Sequence, residues 1–234
     1  MSGGLKSYLL KLAGKGEFKL DDKIGFAYLL GICKKYGFML MRGKLCALGF
    51  PKISNKLFIG KNVKLLCKKN VNIGAAVKLH DCVKIDALST DGVVLEEGVV
   101  LGKNTSIECT GSLSCVGKGV KIGKRTTFGC DCFFGAAGGI EIGTDVIAGQ
   151  YIRFHSENHN FNDTSVLIRK QGVSHKGIKV GNNCWIGSGV VFLDGAEIGN
   201  GCVVAANSVV TKKFLDNVVL GGVPAKIIKM RGQG

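Results

Sequence analysis

Residues 178–210 read IKVGNNCWIGSGVVFLDGAEIGNGCVVAANSVV, and in them Val180, Ile186, Phe192, Ile198, Val204 and Val210 fall at intervals of six without a miss. With 46% of the chain hydrophobic, six hits in six arise by chance about once in a hundred trials. The interval matches neither the roughly 3.6-residue period of a helix nor the roughly two-residue alternation of a strand. It fits a chain that runs a short strand, turns a corner and repeats, stacking like residues along a solenoid. Val180, Ile186 and Ile198 are each followed by Gly, and GNNC, GSGV and GNGC read as tight corners. The 36 glycines against two prolines suit many such corners, where positive φ or close backbone approach excludes a side chain. A disordered chain would be polar and Pro-rich instead.

Toward the N-terminus the interval begins at Ile59 and continues through Leu65, Val71, Val77 and Val83; Ser89 breaks it, and Leu95, Leu101, Ile107 and Leu113 resume it. A change of phase then gives Val116, Ile122, Phe128, Phe134 and Ile140, and a two-residue insertion resets it to Ile142, Ala148 and Phe154. The expected organisation is a β-solenoid over residues 59–210 with one excursion, HSENHNFNDTSVLIRKQGVSHKG at 155–177, and a basic tail at 211–234. The excursion holds three of the four histidines, and repeat proteins place such insertions on one face, often the binding face.

Residues 1–58 read differently, with eleven Lys/Arg against three Asp/Glu, so that +8 of the total +15 lies there. Asp21-Asp22 is placed to cap a helix through IGFAYLLGICKKYGFMLMR. That helix has two compatible roles. It covers the open end of the solenoid, or it lies in an anionic membrane surface with Phe, Tyr and Met inward and Lys/Arg at the headgroups. No apolar run approaches the ~18 residues of a membrane span, and Lys11 breaks the first apolar cluster, unlike a secretory signal. The expected location is the cytoplasm, on the inner face of the membrane. The basic residues are scattered among apolar ones without a nucleic-acid module, so a membrane or a phosphate-bearing ligand suits the charge better than nucleic acid.

The ten cysteines do not read as a disulfide framework. Cys132, Cys184 and Cys202 each lie four residues after Phe128, Val180 and Ile198, a recurring slot for small apolar fillers, as reduced thiols would be. Cys130-Asp131-Cys132 has no second Cys/His pair at finger spacing, and no metal is expected.

The repeated [Ile/Val/Leu]-Gly-x-x-[small]-x units, with SENHNFND, KVGNNCWIGSGVVFLDG, IGNGCVVAANSVVTK and GGVPAKIIK in that order, resemble the hexapeptide-repeat acyltransferases. Within them the closest resemblance is to the sugar O-acetyltransferases: galactoside, maltose and nodulation-factor enzymes and those that decorate capsule, O-antigen and exopolysaccharide. The resemblance covers residues 59–230. It implies an all-β fold, a left-handed parallel β-helix with a short helical N-terminal extension. It also implies a homotrimer with each site shared between two chains, acetyl-CoA as co-substrate, and a sugar or polysaccharide precursor as acceptor.

The resemblance also assigns roles. Acyl transfer to a hydroxyl needs a base and donors for a tetrahedral oxyanion; it makes His159, heading His159-Asn160-Phe161, the catalytic base. His155 competes from the end of a coil, Glu157 or a loop carbonyl would orient the ring, and Asn160 would touch the acceptor. Trp185, Gly187 and Ser188 match the motif where the pantetheine arm nears the backbone, with the Ser188 N–H facing the thioester oxygen. Ala205 and Ala206 match a second contact with that arm, and Pro224 flanks the adenine. Lys226, Lys229 and Arg231 would neutralise the coenzyme phosphates. Asp131 stands where relatives often carry an acceptor-binding Asn. Three other readings stand beside this one. N-acetylation of a nucleotide-linked amino sugar wants a nucleotide-binding domain that 58 residues do not supply. A β-helical metal-dependent carbonic anhydrase wants three His ligands, nominally His155 and His159 with His80 or His175. A non-catalytic membrane scaffold would ignore His159.

Overall fold

The computed structural model describes residues 21, 23–47 and 56–232. From Phe58 the chain winds repeatedly through three sheets. The first has nine strands, from Phe58–Ile59 to Lys226–Met230; the second has seven, from Lys64–Leu66 to Val209–Val210; the third has seven, from Val71–Ile73 to Lys213–Phe214. Strands of successive coils pair in parallel, so like residues stack: Ile122 on Ile142 on Val180, and Phe134 on Phe154 on Phe192. Within these three sheets only the last strand reverses, running antiparallel to Val218–Gly221.

The inward residues keep strict time at two of the three corners. From first sheet to second (Ile59 to Leu65, Phe128 to Phe134, Ile186 to Phe192) and from third to first (Ile73 to Leu79, Ile142 to Ala148, Ile198 to Val204) they are six apart. From second to third the interval is 8, 10, 15, 8, 26, 6 and 4 residues in successive coils, beginning at Leu65–Ile73 and ending at Val210–Phe214. All length variation therefore leaves the stack at one corner, and the 155–177 excursion is the longest instance.

This corrects the phase expected for the N-terminal half. Val71, Val77 and Val83 are buried, and Val71 stacks on Val93, but the six-residue ladder from Ile59 and Leu65 continues through Ile73, Leu79 and Ile85, two positions later. Ser89 is no ladder position; its hydroxyl donates to the Ala87 carbonyl. Leu113, 90% exposed, and Val116 are not core; Leu113 lies in the turn closed by the Ser112–Cys115 bridge, and Val116 directly follows it. A fixed count of six drifts off the sheets wherever the second-to-third corner is long.

Corner chemistry explains the rest of the hexapeptide. The third residue after an inward residue adopts positive φ, and Asn62, Asn104, Asp131, Asp145, Asn183, Asn207 and Asn217 fill that place, as Asn and Asp tolerate the left-handed region best after Gly. At these two corners the residue directly after the inward one is Gly or Ala in most coils. A Cβ on Gly187 would come within 2.5 Å of the Ala206 nitrogen in the next coil. Cys132, Cys184 and Cys202 are buried fillers, no disulfide joins any of the ten cysteines, and burial pushes the Cys132 thiol up to about 11.

Helix α1, Phe26–Cys46, covers the open first coil. Leu29, Met39 and Gly43 are buried, Tyr36 sets its ring edge-on to Phe58 at 5.9 Å, and Arg42 Nε donates to the Ile59 carbonyl at 2.9 Å. The expected acidic cap is not formed by Asp21, whose carboxylate instead accepts the Lys23 N–H. Gly25 is the N-cap and has no side chain to give; Asp22 lies outside the described residues.

On the outer face of the third sheet, Lys121, Glu141, Lys179, Glu197 and Lys213 alternate in register, with Lys179–Glu141 at 3.8 Å and Lys213–Glu197 at 2.8 Å. This is a solvated, self-neutralising side. The interior is instead dense with aromatics: Phe154 stacks between Phe134 and Phe192 with centroids 4.9 Å away on both sides. Phe154→Ala should cost about 3–5 kcal/mol of unfolding free energy in a urea titration. Leu113→Ala, outside the core, should change it by less than about 0.5 kcal/mol.

Candidate active site

The excursion leaves the second sheet after Arg153–His155 and rejoins the third at Ile178–Val180. Its stems form a hairpin, Asn158–His159 antiparallel to Val173–Ser174. Both stems are pinned by buried side chains. Ser156 Oγ donates to the Gly135 carbonyl and accepts the Gly138 N–H, each at 2.9 Å. Asp194, buried, accepts the N–H groups of Lys176 and Gly177 at 2.8 Å and the Ser174 hydroxyl at 3.2 Å. The outer loop is tied by Gln171, whose Nε2 donates to the carbonyls of Asp163 and Val166 at 2.7 Å. An exposed loop held at so many points presents its side chains in fixed places.

His159 is exposed, and among the described residues its ring has no hydrogen-bond partner. Glu157 does not orient it; Glu157 meets His175 at 2.6 Å. Glu157 and His175 face each other one pair beyond Asn158 and Ser174 in the hairpin register, so alternation puts this couple on the same face as His159. His155 points outward from the second sheet, its ring 5.6 Å from that of Phe133. Burial, then the Arg153 charge, lowers its pKa. Asn160 is engaged within the loop, its Nδ2 donating to the Gln171 carbonyl at 3.0 Å.

The second group of residues lies at the corner between the first and second sheets. Trp185 projects from the first sheet between Ile147 and Val203, and Trp185 and Ile147 are 60% and 63% exposed. Ser188 and Ala206 occupy the same corner in adjacent coils. At the third-to-first corner of three later coils a side-chain oxygen of the next coil caps the turn. Thr144 N–H donates to Asn182, Asn182 N–H to Asn200, and Asn200 N–H to Asp216, all at 2.8 Å. At the first-to-second corner, Gln150 N–H donates to Ser188 Oγ at 3.3 Å. The next residue in that column is Ala206, which has no oxygen, and among the described residues no acceptor meets the Ser188 N–H. The corner thus exposes an open backbone donor beside small residues.

The remaining candidates are scattered. Pro224 is exposed, Ala225 is buried, and Lys226 and Lys229 lie on the exposed last strand. Arg231 has one guanidinium nitrogen committed to the Gly201 carbonyl at 2.9 Å. Asp131 is a positive-φ corner residue whose carboxylate accepts the Asn104 amide at 3.0 Å, a structural use of that side chain. His80 stands on the first-to-second corner of an early coil, and among the described residues no three of His, Cys, Asp and Glu converge as a metal site. Hollows of about 420 and 470 Å³ lie over the charged third sheet and contain neither His159 nor Ser188.

The hairpin leaves from the second-to-third corner, whereas Trp185, Ser188 and Ala206 sit at or beside the first-to-second corner. The whole second sheet lies between them. Sequence reasoning missed the pins Ser156 and Asp194 and the Glu157–His175 couple. Asp194 follows the inward Phe192 by two residues, a small signal; the others depend on which coils are neighbours.

A six-residue, three-sided solenoid with one long excursion is the architecture of hexapeptide-repeat proteins. The repeat described as bacterial transferase hexapeptide (six repeats) matches residues 177–212. The match is confined to these residues, which carry the later coils of the three-sided, parallel solenoid. A probable acetyltransferase of Mycobacterium tuberculosis is 34% identical over 92 residues, covering 39% of this chain and 31% of that protein. A putative lipopolysaccharide biosynthesis O-acetyl transferase, WbbJ of Escherichia coli, is 33% identical over 97 residues, covering 38% and 50%. Galactoside O-acetyltransferase of Escherichia coli is 46% identical over 63 residues, covering 26% and 31%. The matches span between 31% and 50% of these relatives' lengths.

His80 and His155 both have pKa values lowered chiefly by burial. Below the ordinary value of 6.5 the unfolded chain binds protons that these two rings resist in the folded one, so stability falls as pH falls. Urea midpoints should drop between about pH 7.5 and about pH 5.5, and His80→Gln with His155→Gln should flatten that slope. An unchanged slope in the double variant would show that other groups set it.

Proposed function

We propose that this chain transfers an acetyl group from acetyl-CoA to a hydroxyl of a sugar, within a cell-surface polysaccharide or its precursor, with His159 as general base. The observation that carries the reading is an unpartnered, exposed imidazole on a pinned hairpin, together with an open Ser188 N–H at a corner of small residues. His159 takes the proton of the acceptor hydroxyl as its oxygen attacks the thioester carbon. The Ser188 N–H holds the resulting oxyanion. The carbon–sulfur bond then breaks, and the imidazolium returns its proton to the departing thiolate, leaving an ester and a free thiol. Trp185, Gly187, Ala205 and Ala206 would line the pantetheine arm. Pro224 with Lys226, Lys229 and Arg231 would hold the nucleotide end, Arg231 through the nitrogens that Gly201 does not engage.

Because the two halves occupy different corners, the hairpin of one copy would complete the coenzyme corner of another in a homotrimer, with exposed Ile147 and Trp185 near the contact. Asp131 and Asn160 are the acceptor-side candidates, each already engaged by one hydrogen bond. Residues 1–58 would bring the assembly to the inner face of a membrane.

His159→Ala, folded and of unchanged assembly, should lose about 10²–10⁴-fold in kcat, read as thiol release with a sugar acceptor. Full activity would remove His159 from the mechanism. The product distinguishes ester from amide: alkaline hydroxylamine should cleave it, and resistance would point to an amino-sugar acceptor. Ala206→Trp should raise KM for acetyl-CoA more than about tenfold. Refolding His159→Ala together with Ala206→Trp should restore wild-type kcat and KM at roughly a quarter of the sites if hairpin and corner come from different chains. No recovery would place both halves in one chain.

A further inference from the structure

Helix α1 contains no acidic residue from Phe26 to Cys46 and carries Lys34, Lys35, Arg42 and Lys44. One side is occupied by the first coil, through Leu29, Met39, Gly43 and the Arg42 contact. At about 100° per residue, Phe26, Leu30, Phe38, Met41 and Leu45 fall together on another side. There they are 51%, 38%, 57%, 52% and 66% exposed. Lys34 and Lys44 lie within this stripe. A helix apolar on two sides needs two partners, and the described fold supplies one. Among the described residues no helix is long and apolar enough to cross a membrane.

We propose that the outer stripe of α1 docks on an anionic bilayer surface, with its axis in the headgroup plane and the first coil seated over the membrane. Charge selects this occupant. Every side chain on the helix that is charged at neutral pH is cationic, and lysines interleaved with large apolar residues can rest their stems on the acyl boundary while their ammonium groups reach lipid phosphates. A second copy of the same stripe would instead set Lys34 and Lys44 against their own equivalents, without an acid on the helix to compensate. The docking rests on the proposed function only for its use, which is to hold the acceptor-modifying site beside a membrane that carries saccharide precursors. The contact itself needs no catalysis.

The test uses the full chain in flotation with phosphatidylcholine vesicles, with and without phosphatidylglycerol. The wild-type protein should float with the anionic vesicles, and high salt should weaken this. Phe38→Ser/Met41→Ser/Leu45→Ser and, separately, Lys34→Glu/Lys44→Glu should each lower binding more than about tenfold. Melting temperature, sedimentation and thiol release with a soluble acceptor should stay at wild-type values. Absence of wild-type binding to anionic vesicles would overturn the proposal. So would stripe variants that bind like wild type, which would move the contact to other residues, or that fall to a smaller assembly, which would place the stripe between copies. Vesicle binding without any acyl transfer would leave the docking standing and remove only the proposed chemistry.

Discussion

Backbone stacking of one coil directly on the next, at about 4.8 Å per layer, is the constraint on which the molecule depends. It requires a large inward residue on each side, a small residue just after it, and a positive-φ residue at the corner. Gly187 under Ala206 shows how little room there is. Phe134, Phe154 and Phe192 show what stacking gains, a continuous column of rings through three coils. Two corners keep the six-residue interval in every coil and follow the rest of this rule in most, His80, Glu96, Leu215 and inward Ala148 being the departures. The third does not, and it is where the chain departs from the stack.

That asymmetry gives the prism three different faces. The third sheet neutralises itself with alternating Lys and Glu and meets water. The first sheet exposes Ile147 and Trp185. The second sheet lies between the excursion corner and the corner where Ala206 leaves the Ser188 N–H open. At the third-to-first corner of three later coils, side-chain oxygens close the equivalent donors, as Asn182, Asn200 and Asp216 do. Ala206, next in that column, leaves the Ser188 N–H a donor that a ligand atom can meet. At the solenoid's N-terminal end, α1 protects the first coil with one side and leaves a second apolar side unmatched.

The C-terminal ladder was legible because coils there keep close to the minimal interval, with the second-to-third corner only six residues long at Phe192–Ile198. In the N-terminal half the same reading chose Val71, Val77 and Val83, apolar and buried yet two residues from the ladder positions. Two inward-facing residues per strand make either phase plausible by composition. Leu113 and Val116 continued the apolar pattern inside an insertion, where hydrophobicity carries no information about stacking. The acidic pair before α1 resembled a cap, but Asp21 turned to its own loop and Gly25 took the position.

The sequence alone determined the repeat, its corner chemistry, the existence of one long excursion rich in histidine, and the smallness of Ala205 and Ala206. These are local properties: each hexapeptide must satisfy its own turn and its own inward position. Tertiary structure decided which residues answer one another across coils. Glu157 finds His175 and not His159, Asp194 and Ser156 pin the two stems, and the Ser188 N–H finds no acceptor because Ala206 lies next to it. Such partners are set by coil register, and register accumulates every insertion at the variable corner. No six-residue window contains that sum.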